Sequence, residues 1–417
     1  MRKKILIAAV LAVVLIVAGA AAAFFLLRDN HPSGGLVTSR QGISVQTDTA
    51  PSLPETTSTA TTTAAAEPNE TCWPVFGGNL RRSLYQPVDL GKPAKVLWRH
   101  ALGDVMEFPP VYCNGRLYVN LELGRVLALN AKNGRTIWER RVRDRAPSSP
   151  AIDGPRLFSG STSGRLTAFR LADGAKLWTL ATGGDIESSP VVAGGLVYFG
   201  STDGRIFAAS SRSGRVRWVY NTGAKLTSSP SILGNRLFVT NYAGAFLCLD
   251  RRNGNKIWQT YVQRNVLQSE SFYASPTTDG RLVFSIARSG KVVAVSAFSG
   301  KIVWTQHQGG YGYSTPAVAN RAVYSGGFDG NVYAYRASSG QRLWTHRVGG
   351  RILAPPLVVG KLVFVSTLER RTFALSRASG RVVWSAGKGK YSPGIATNLH
   401  YYLSLNATVI AYRGARR

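Results

Sequence analysis

Acidic residues are scarce in this chain: 21 Asp and Glu stand against 51 Lys and Arg among 417 residues, a formal net charge of +30. Sulfur is scarcer, with three Cys and two Met, and there are only five His. Each shortage excludes something. Three Cys cannot build the multi-bridge framework of a small secreted scaffold. No Cys-x-x-Cys-His haem attachment is present. His31 lies near the N-terminus, while His100, His307, His346 and His400 are too scattered for metal-ligand spacing. There is no Gly-x-Ser-x-Gly elbow and no Walker-type phosphate loop, so the commonest hydrolase and nucleotidase machineries are missing.

Long apolar runs are lacking too, with one exception. Ile5 through Leu27 is an apolar stretch of 23 residues preceded by Arg2-Lys3-Lys4. A helix of that length spans a hydrocarbon core of about 30 Å. The basic flank predicts a cytoplasmic N-terminus, with everything after Leu27 outside. Residues 1–27 are thus expected to be a single-pass membrane anchor. Ala18-Gly19-Ala20 offers the alternative of a cleaved signal peptide. On either reading the remainder is exported, and the expected location is the cell membrane with an extracytoplasmic domain. Residues 28–71 include the low-complexity tract Thr56 to Ala66 and read as a disordered Ser/Thr/Ala/Pro-rich linker. The sequons Asn69-Glu70-Thr71 and Asn406-Ala407-Thr408 are too short a pattern to carry function.

From residue 72 the chain repeats one sentence. Ser188-Ser189-Pro190-Val191-Val192 is followed by Leu196 to Gly200, by Arg205 to Ala209, and by Val216-Arg217-Trp218. Four short apolar runs are parted by Gly-centred turns. Trp recurs at 98, 138, 178, 218, 258, 304, 344 and 384, at intervals of 40 except for one of 46. Four strands in a period of about 40 residues predict a blade of a β-propeller. Prolines at 110, 150, 190, 230, 276, 316, 356 and 393 open the first strand of each unit, where a missing N–H costs the ladder nothing. Ala128, Ala168, Ala208, Ala294, Ala334 and Ala374 lie ten residues before a Trp, with Cys248 in the same column and Ala411 as its last occurrence. These small residues are expected to make room for the Trp of a neighbouring blade, and all eight Trp are expected to be structural and buried between blades. Trp98 has no first three strands before it, and the last unit has no Trp after it. The strand 95–101 should therefore close an eighth blade, leaving no open edge in the ring. The fold class is all-β: an eight-bladed propeller of four-stranded antiparallel blades over 72–417. The six extra residues fall in Gln263 to Phe272, between blades four and five.

The repeat Ala128-x-Asn130-x-x-x-Gly134-x-x-x-Trp138 resembles the tryptophan-docking motif of the pyrroloquinoline-quinone-type (PQQ-like) propeller family, as does Cys248-Leu249-Asp250 through Gly254 to Trp258. Trp73-Pro74-Val75-Phe76-Gly77-Gly78-Asn79, with Arg82 and Tyr85, resembles the segment leading into such propellers. The acidic residue of the motif is mostly lost: Arg170, Ser210, Ser296, Arg336 and Ser376 stand in its place. The family includes quinone-dependent dehydrogenases and catalytically silent scaffolds, one of them a lipoprotein of the outer-membrane protein assembly machine. No Cys lies near residue 20, so a lipid anchor of that kind is not available here. The dehydrogenases hold calcium and the quinone, often beside a disulfide between adjacent cysteines. This chain has no Cys-Cys pair, no long loop insertion, and few acids on the corresponding loops: Asp104, Glu107, Asp144, Asp185, Glu187 and Glu270. No catalytic, cofactor or metal residue is assigned. Cys72 and Cys113 could bridge in an exported protein, or remain two thiols; Cys248 reads as a small core residue.

Function is then read from charge. Beyond residue 71 the chain holds 46 Lys and Arg against 16 Asp and Glu. Arg116, Arg156, Arg236 and Arg281 lie at the first hairpins of their blades, while Arg135, Arg215 and Arg342 lie at the third. In a four-stranded blade these hairpins emerge on one face, which should carry a double ring of positive charge. The opposite face is expected to hold Arg125, Arg165, Arg205 and Lys291, with a cluster at Arg140, Arg141, Arg143 and Arg145. Such fields concentrate anionic partners. The expected partners are envelope proteins or anionic lipid or wall polymer, bound by a monomeric, non-catalytic scaffold. Cations that merely solubilise the ring are the plainer alternative, and a reduced quinone dehydrogenase is the alternative of another class. Nucleic acid is not expected, since the domain is exported and has no reading module.

Overall fold

The forty-residue sentence folds as written, and a single blade shows why. Ala151–Asp153, Arg156–Ser161, Arg165–Arg170 and Lys176–Ala181 form one antiparallel sheet in chain order. Strands two and three bury their central four residues completely, because each blade is sandwiched between two others. In the computed structural model, which describes residues 35–36, 44–47, 70–265, 268–387 and 389–415, the same sheet recurs seven times as blades 1 to 7. They span residues 111–141, 151–181, 191–221, 231–261, 277–307, 317–347 and 357–387. The eighth blade consists of Ile395–Ala396, His400–Ser404 and Thr408–Gly414, completed by Pro93–Ala101 from the other end of the propeller. Ala411 pairs with Trp98 and Thr408 with Ala101, so the ring closes by the strand expected, two residues longer at its start. All regular structure among the described residues is β. The apolar run 1–27 lies outside the described residues.

The Trp column needs one correction. The small residue ten positions earlier does not face a neighbouring blade's ring. It sits directly across the sheet from the Trp of its own blade: Ala128 opposite Trp138, Ala168 opposite Trp178, Cys248 opposite Trp258. The next strand over supplies an aromatic at the same level, such as Tyr118, Phe158 or Phe238. With only a methyl or thiol between them, the two rings meet over the middle strand, at centroid distances of 5.7–5.9 Å in these three blades. Contact with the neighbouring blade is made by the far side of the indole. Trp138 covers Gly174 in the third hairpin of blade 2, where a β-carbon would come within 2.8 Å of the ring and φ is +72°. The Trp138 Nε1–H also donates to the Leu171 carbonyl at 3.1 Å. Trp98, Trp218, Trp258, Trp304 and Trp344 donate in the same way to Ala131, Arg251, Ala297, Ala337 and Arg377. Six of the eight Trp are buried, but Trp344 and Trp384 are half-buried. Trp384 faces the closing blade, which is cut at its third hairpin and offers no glycine platform. It packs edge-on against Tyr412 instead.

Around the axis the hydroxyls before the column prolines of blades 3 to 6 form a chain of bonds between blades 2 and 6. The Ser149, Ser189, Ser229 and Ser275 amides donate in turn to Ser189 Oγ, Ser229 Oγ, Ser275 Oγ and Thr315 Oγ1, at 2.9–3.1 Å. Small polar side chains are needed there because inner strands converge. On the rim, two pieces of the 28–71 stretch read as disordered linker are strands. Gly35–Leu36 pairs with the outer strand of blade 3, and Ser44–Thr47 with that of blade 2. Outer strands leave one row of backbone donors and acceptors unpaired, and these segments satisfy part of two such rows. Cys72 and Cys113 form a disulfide. Cys248 is buried and free, and burial pushes its thiol up to about 12.

Candidate functional site: the two ends of the central channel

One end of the channel is closed by the chain itself. The segment 70–86 passes beneath the inner strands and bonds to blade after blade. Trp73 exchanges both backbone bonds with Tyr112 of blade 1, and Pro74 O accepts from Ile152 of blade 2. Leu80 O, Arg81 O, Ser83 O and Leu84 O accept from Ile232, Thr278, Val318 and Val358 of blades 4 to 7. Glu70 and Thr71 reach blade 8, at Thr397, His400 and Asn398. Blade 3 is held by a side chain. Arg82 is fully buried, and its guanidinium donates to Ser189 O at 2.8 Å, to Phe76 O at 2.9 Å, and to Pro230 O of blade 4. Burial lowers its pKa to about 9, so it remains charged at neutral pH, with carbonyl dipoles replacing water. The segment turns tightly to do this. At Gly77, φ +83°, an added β-carbon would lie 2.6 Å from the Arg82 backbone. Burial also raises the Glu70 pKa, but hydrogen bonds from His400, Thr397 and Tyr112 outweigh it and hold the carboxyl below its usual range.

The other end carries the acids and tyrosines. Glu107, Glu187, Thr227, Tyr273, Tyr313 and Lys390 each stand three residues before a column proline, so the repeat sets them in one ring. Glu107 of blade 1 and Glu187 of blade 3 lie close enough to Tyr273 to raise its pKa, after burial, and Tyr242 and Tyr313 act with them. Burial, then repulsion from Glu122, raises the Glu107 carboxyl to about 7; Arg145 opposes this and itself pairs with Glu122. The opposite wall is aromatic. Tyr273 meets Tyr313 edge-on at 5.7 Å, the Tyr311, Tyr313 and Phe328 rings meet one another at 6.1–6.5 Å, and Arg351 covers the Phe328 ring at 5.4 Å. Tyr311 is 57% exposed. Sequence reasoning placed the two glutamates on this face but missed the tyrosines; counting back from the column proline would have found them.

The arginines singled out from the sequence do not form one patch. Arg116, Arg156, Arg236 and Arg281 sit at first hairpins on the closed face, as the topology requires. Arg116 is spent on the Ala172 carbonyl of blade 2 at 2.9 Å, and Arg236 lies over Phe298. Arg281 is exposed. Of the second cluster, Arg140 leaves the face assigned to it and caps the third hairpin of blade 2, donating to Gly174 O and Asp173 O. It lies two residues after Trp138 in the same strand, so its side chain follows the indole toward the neighbouring blade. Arg141 and Arg143 are exposed and Arg145 is ion-paired. Of the other cations expected on the open face, Arg125 pairs with Glu139, Arg205 with Asp203 and Lys291 with the buried Glu270, while Arg165 is half-buried without an ion pair among the described residues.

A calcium-bound quinone needs several hard oxygen ligands converging on one ion. The open mouth does not fit that group. Glu122 is engaged by Arg145 and Glu107 is pushed toward its protonated form. No group of three or more His, Cys, Asp or Glu is placed to hold a metal among the described residues.

The profile of one family, described as outer membrane protein assembly factor BamB, matches residues 90–306, 249–326 and 288–412. No curated protein matches in sequence. Among solved structures, BamB from Moraxella catarrhalis is similar with a TM-score of 0.67 and 18% identity, over 78% of this chain and 98% of that one. The quinohemoprotein alcohol dehydrogenase from Comamonas testosteroni is similar with a TM-score of 0.70 and 14% identity, over 83% and 81%. A computationally designed protein, Ika8, is similar with a TM-score of 0.64 and 13% identity, over 76% and 100%. At these identities the likeness is one of fold.

Proposed function

The chain belongs to the family described as outer membrane protein assembly factor BamB, and on that footing we propose that it is a non-catalytic binding scaffold held on the outer side of a cell membrane by residues 1–27. It works as a monomer and presents a rigid ring to envelope proteins or to anionic lipid or wall polymer. The observation that carries the reading is the charge difference between its ends. On the open face Arg125, Arg145, Arg205, Lys291 and Arg351 are ion-paired, with Arg141 and Arg143 left exposed; on the closed face Arg170, Arg252 and Lys361 are paired, whereas the exposed Arg281 and Arg321 have no carboxylate partner among the described residues. A face of that kind draws anions by long-range attraction, which salt screens over about 8 Å at physiological strength.

The test is binding of the propeller to anionic vesicles and to purified wall polymer across a salt series, beside a charge-reversal variant at Arg116, Arg156, Arg236 and Arg281. Binding should weaken steeply with salt and fall in the variant. Binding indifferent to both would leave these charges as solubilising residues. The quinone-dehydrogenase reading has the fold likeness in its favour and the donor set against it. Adding pyrroloquinoline quinone and calcium to the pure protein is expected to give neither cofactor absorbance nor dye reduction.

A further inference from the structure

Alternate residues of the closing segment point in opposite directions. Arg82, Leu84 and Gln86 are buried in the ring. Asn79, Arg81, Ser83 and Tyr85 face away and form one wall of a cavity of about 830 Å³ on the closed face, between the first hairpins of blades 5 and 6. Arg281 and Arg321 line it from the two hairpins, so three arginines from three parts of the chain border one space. All three residues are exposed, and no ion pair engages any of them among the described residues. One carboxylate lines the cavity, Asp279, and it accepts from the Arg281 and Leu282 amides of its own turn at 2.8 Å. Arg321 projects from a tight turn in which Asn320 and Arg321 both have positive φ, +48° and +63°. The Asn320 carboxamide oxygen is satisfied toward Arg377 of blade 7, which leaves its NH2 on the side of Tyr85.

We propose that this cavity binds a phosphate monoester. Gathering three cations around one space is unfavourable unless an anion answers them. Against Asp279 they leave about two positive charges in excess, which is the charge of a phosphate monoester at neutral pH. Its three terminal oxygens accept from forked guanidiniums in the bidentate geometry that arginine favours. A carboxylate or a phosphodiester brings one charge only. The cavity lies in the usual size range of small-molecule sites, and Val318, Ala319 and Ala337 give it an apolar floor for the esterified group. The inference rests on the reading of this face as an anion-binding surface and narrows it to one place.

The test is calorimetric titration of the full chain with glycerol 3-phosphate, with a glycerophosphodiester as the comparison. The expected result is saturable one-site binding, with the diester at least tenfold weaker. Arg81→Gln, Arg281→Gln and Arg321→Gln should each weaken it about tenfold at an unchanged melting temperature, and Asp279→Asn should tighten it. A parallel arm uses neutral vesicles with and without phosphatidic acid. Binding there in place of free ester assigns the phosphate to a lipid headgroup, while binding of both assigns it to any carrier; each outcome supports the site. No saturable binding in either arm, or binding unchanged in all three glutamine variants, overturns it. If the anionic surfaces of the preceding test still bind in that case, the cavity fails and the face stands. If glycerol 3-phosphate binds and those surfaces do not, the face fails and the cavity stands.

Discussion

The fully buried Arg82 and the half-buried Glu107, at opposite ends of the channel, show how differently the loss of water can be settled. Arg82 is surrounded by carbonyl oxygens and remains charged, and its charge ties blades 3 and 4 to the closing segment. Glu107 has a neighbouring acid instead of a donor set, and its carboxyl is pushed up to about 7. The fold therefore favours the protonated form of Glu107 over the ionised form that a free glutamate adopts above about pH 4.3. The stability this residue contributes is full below that value and is lost as pH rises through 7. Glu107→Gln keeps the neutral shape and should raise the urea midpoint at pH 8 while leaving it nearly unchanged at pH 4. A variant whose advantage is as large at pH 4 as at pH 8 would contradict the assignment.

At the scale of the element, the blade is defined by a row of three: an aromatic, a small residue and a Trp on adjacent strands, with a glycine of the next blade over the indole. Trp218 has the full set, with Tyr198 at 5.9 Å, Gly254 within contact and a hydrogen bond to Arg251 O. Trp384 has Phe364 and Tyr412 but no glycine platform. Trp218→Ala is therefore expected to cost roughly 3–5 kcal/mol, the range for truncating a core aromatic, and Trp384→Ala less than half of that. Chemical denaturation of both variants checks the ordering, and equal losses would show that the glycine contact contributes nothing. The row also explains Cys248. Its thiol occupies the place of a methyl across from Trp258, a position that selects for size and not for reactivity.

At the scale of the whole molecule, the ring is locked in two ways that both depend on its N-terminal segment. Pro93–Ala101 completes blade 8, and residues 70–86, fastened to blade 1 by the Cys72–Cys113 disulfide, touch every blade. The bridge closes a loop of 41 residues, for which chain entropy gives about 4 kcal/mol. Reduction should lower the melting temperature but leave the ring folded, whereas deletion of 70–101 should abolish cooperative unfolding. A truncated protein that melts like the parent would show that neither lock is needed.

The sequence by itself determined the number of blades, their strand order and the closing strand. Those follow from a local rule repeated eight times: turn glycines, a proline at the first strand and a Trp at the last. It also determined that the first and third hairpins share a face, since antiparallel strands alternate in direction. What only the tertiary structure decided was which side chains meet. The partner of every column Trp but Trp384 is a glycine in the next blade, together with an aromatic two strands away. The strands at 35–36 and 44–47 could not be read because a short polar segment on an outer edge draws its order from the neighbouring backbone. Arg81 and Arg82 look alike in the sequence, yet one faces a cavity and the other is sealed inside the ring. The direction of each is fixed by a turn at Gly77 and by carbonyls from blades more than a hundred residues away, and no local pattern encodes those.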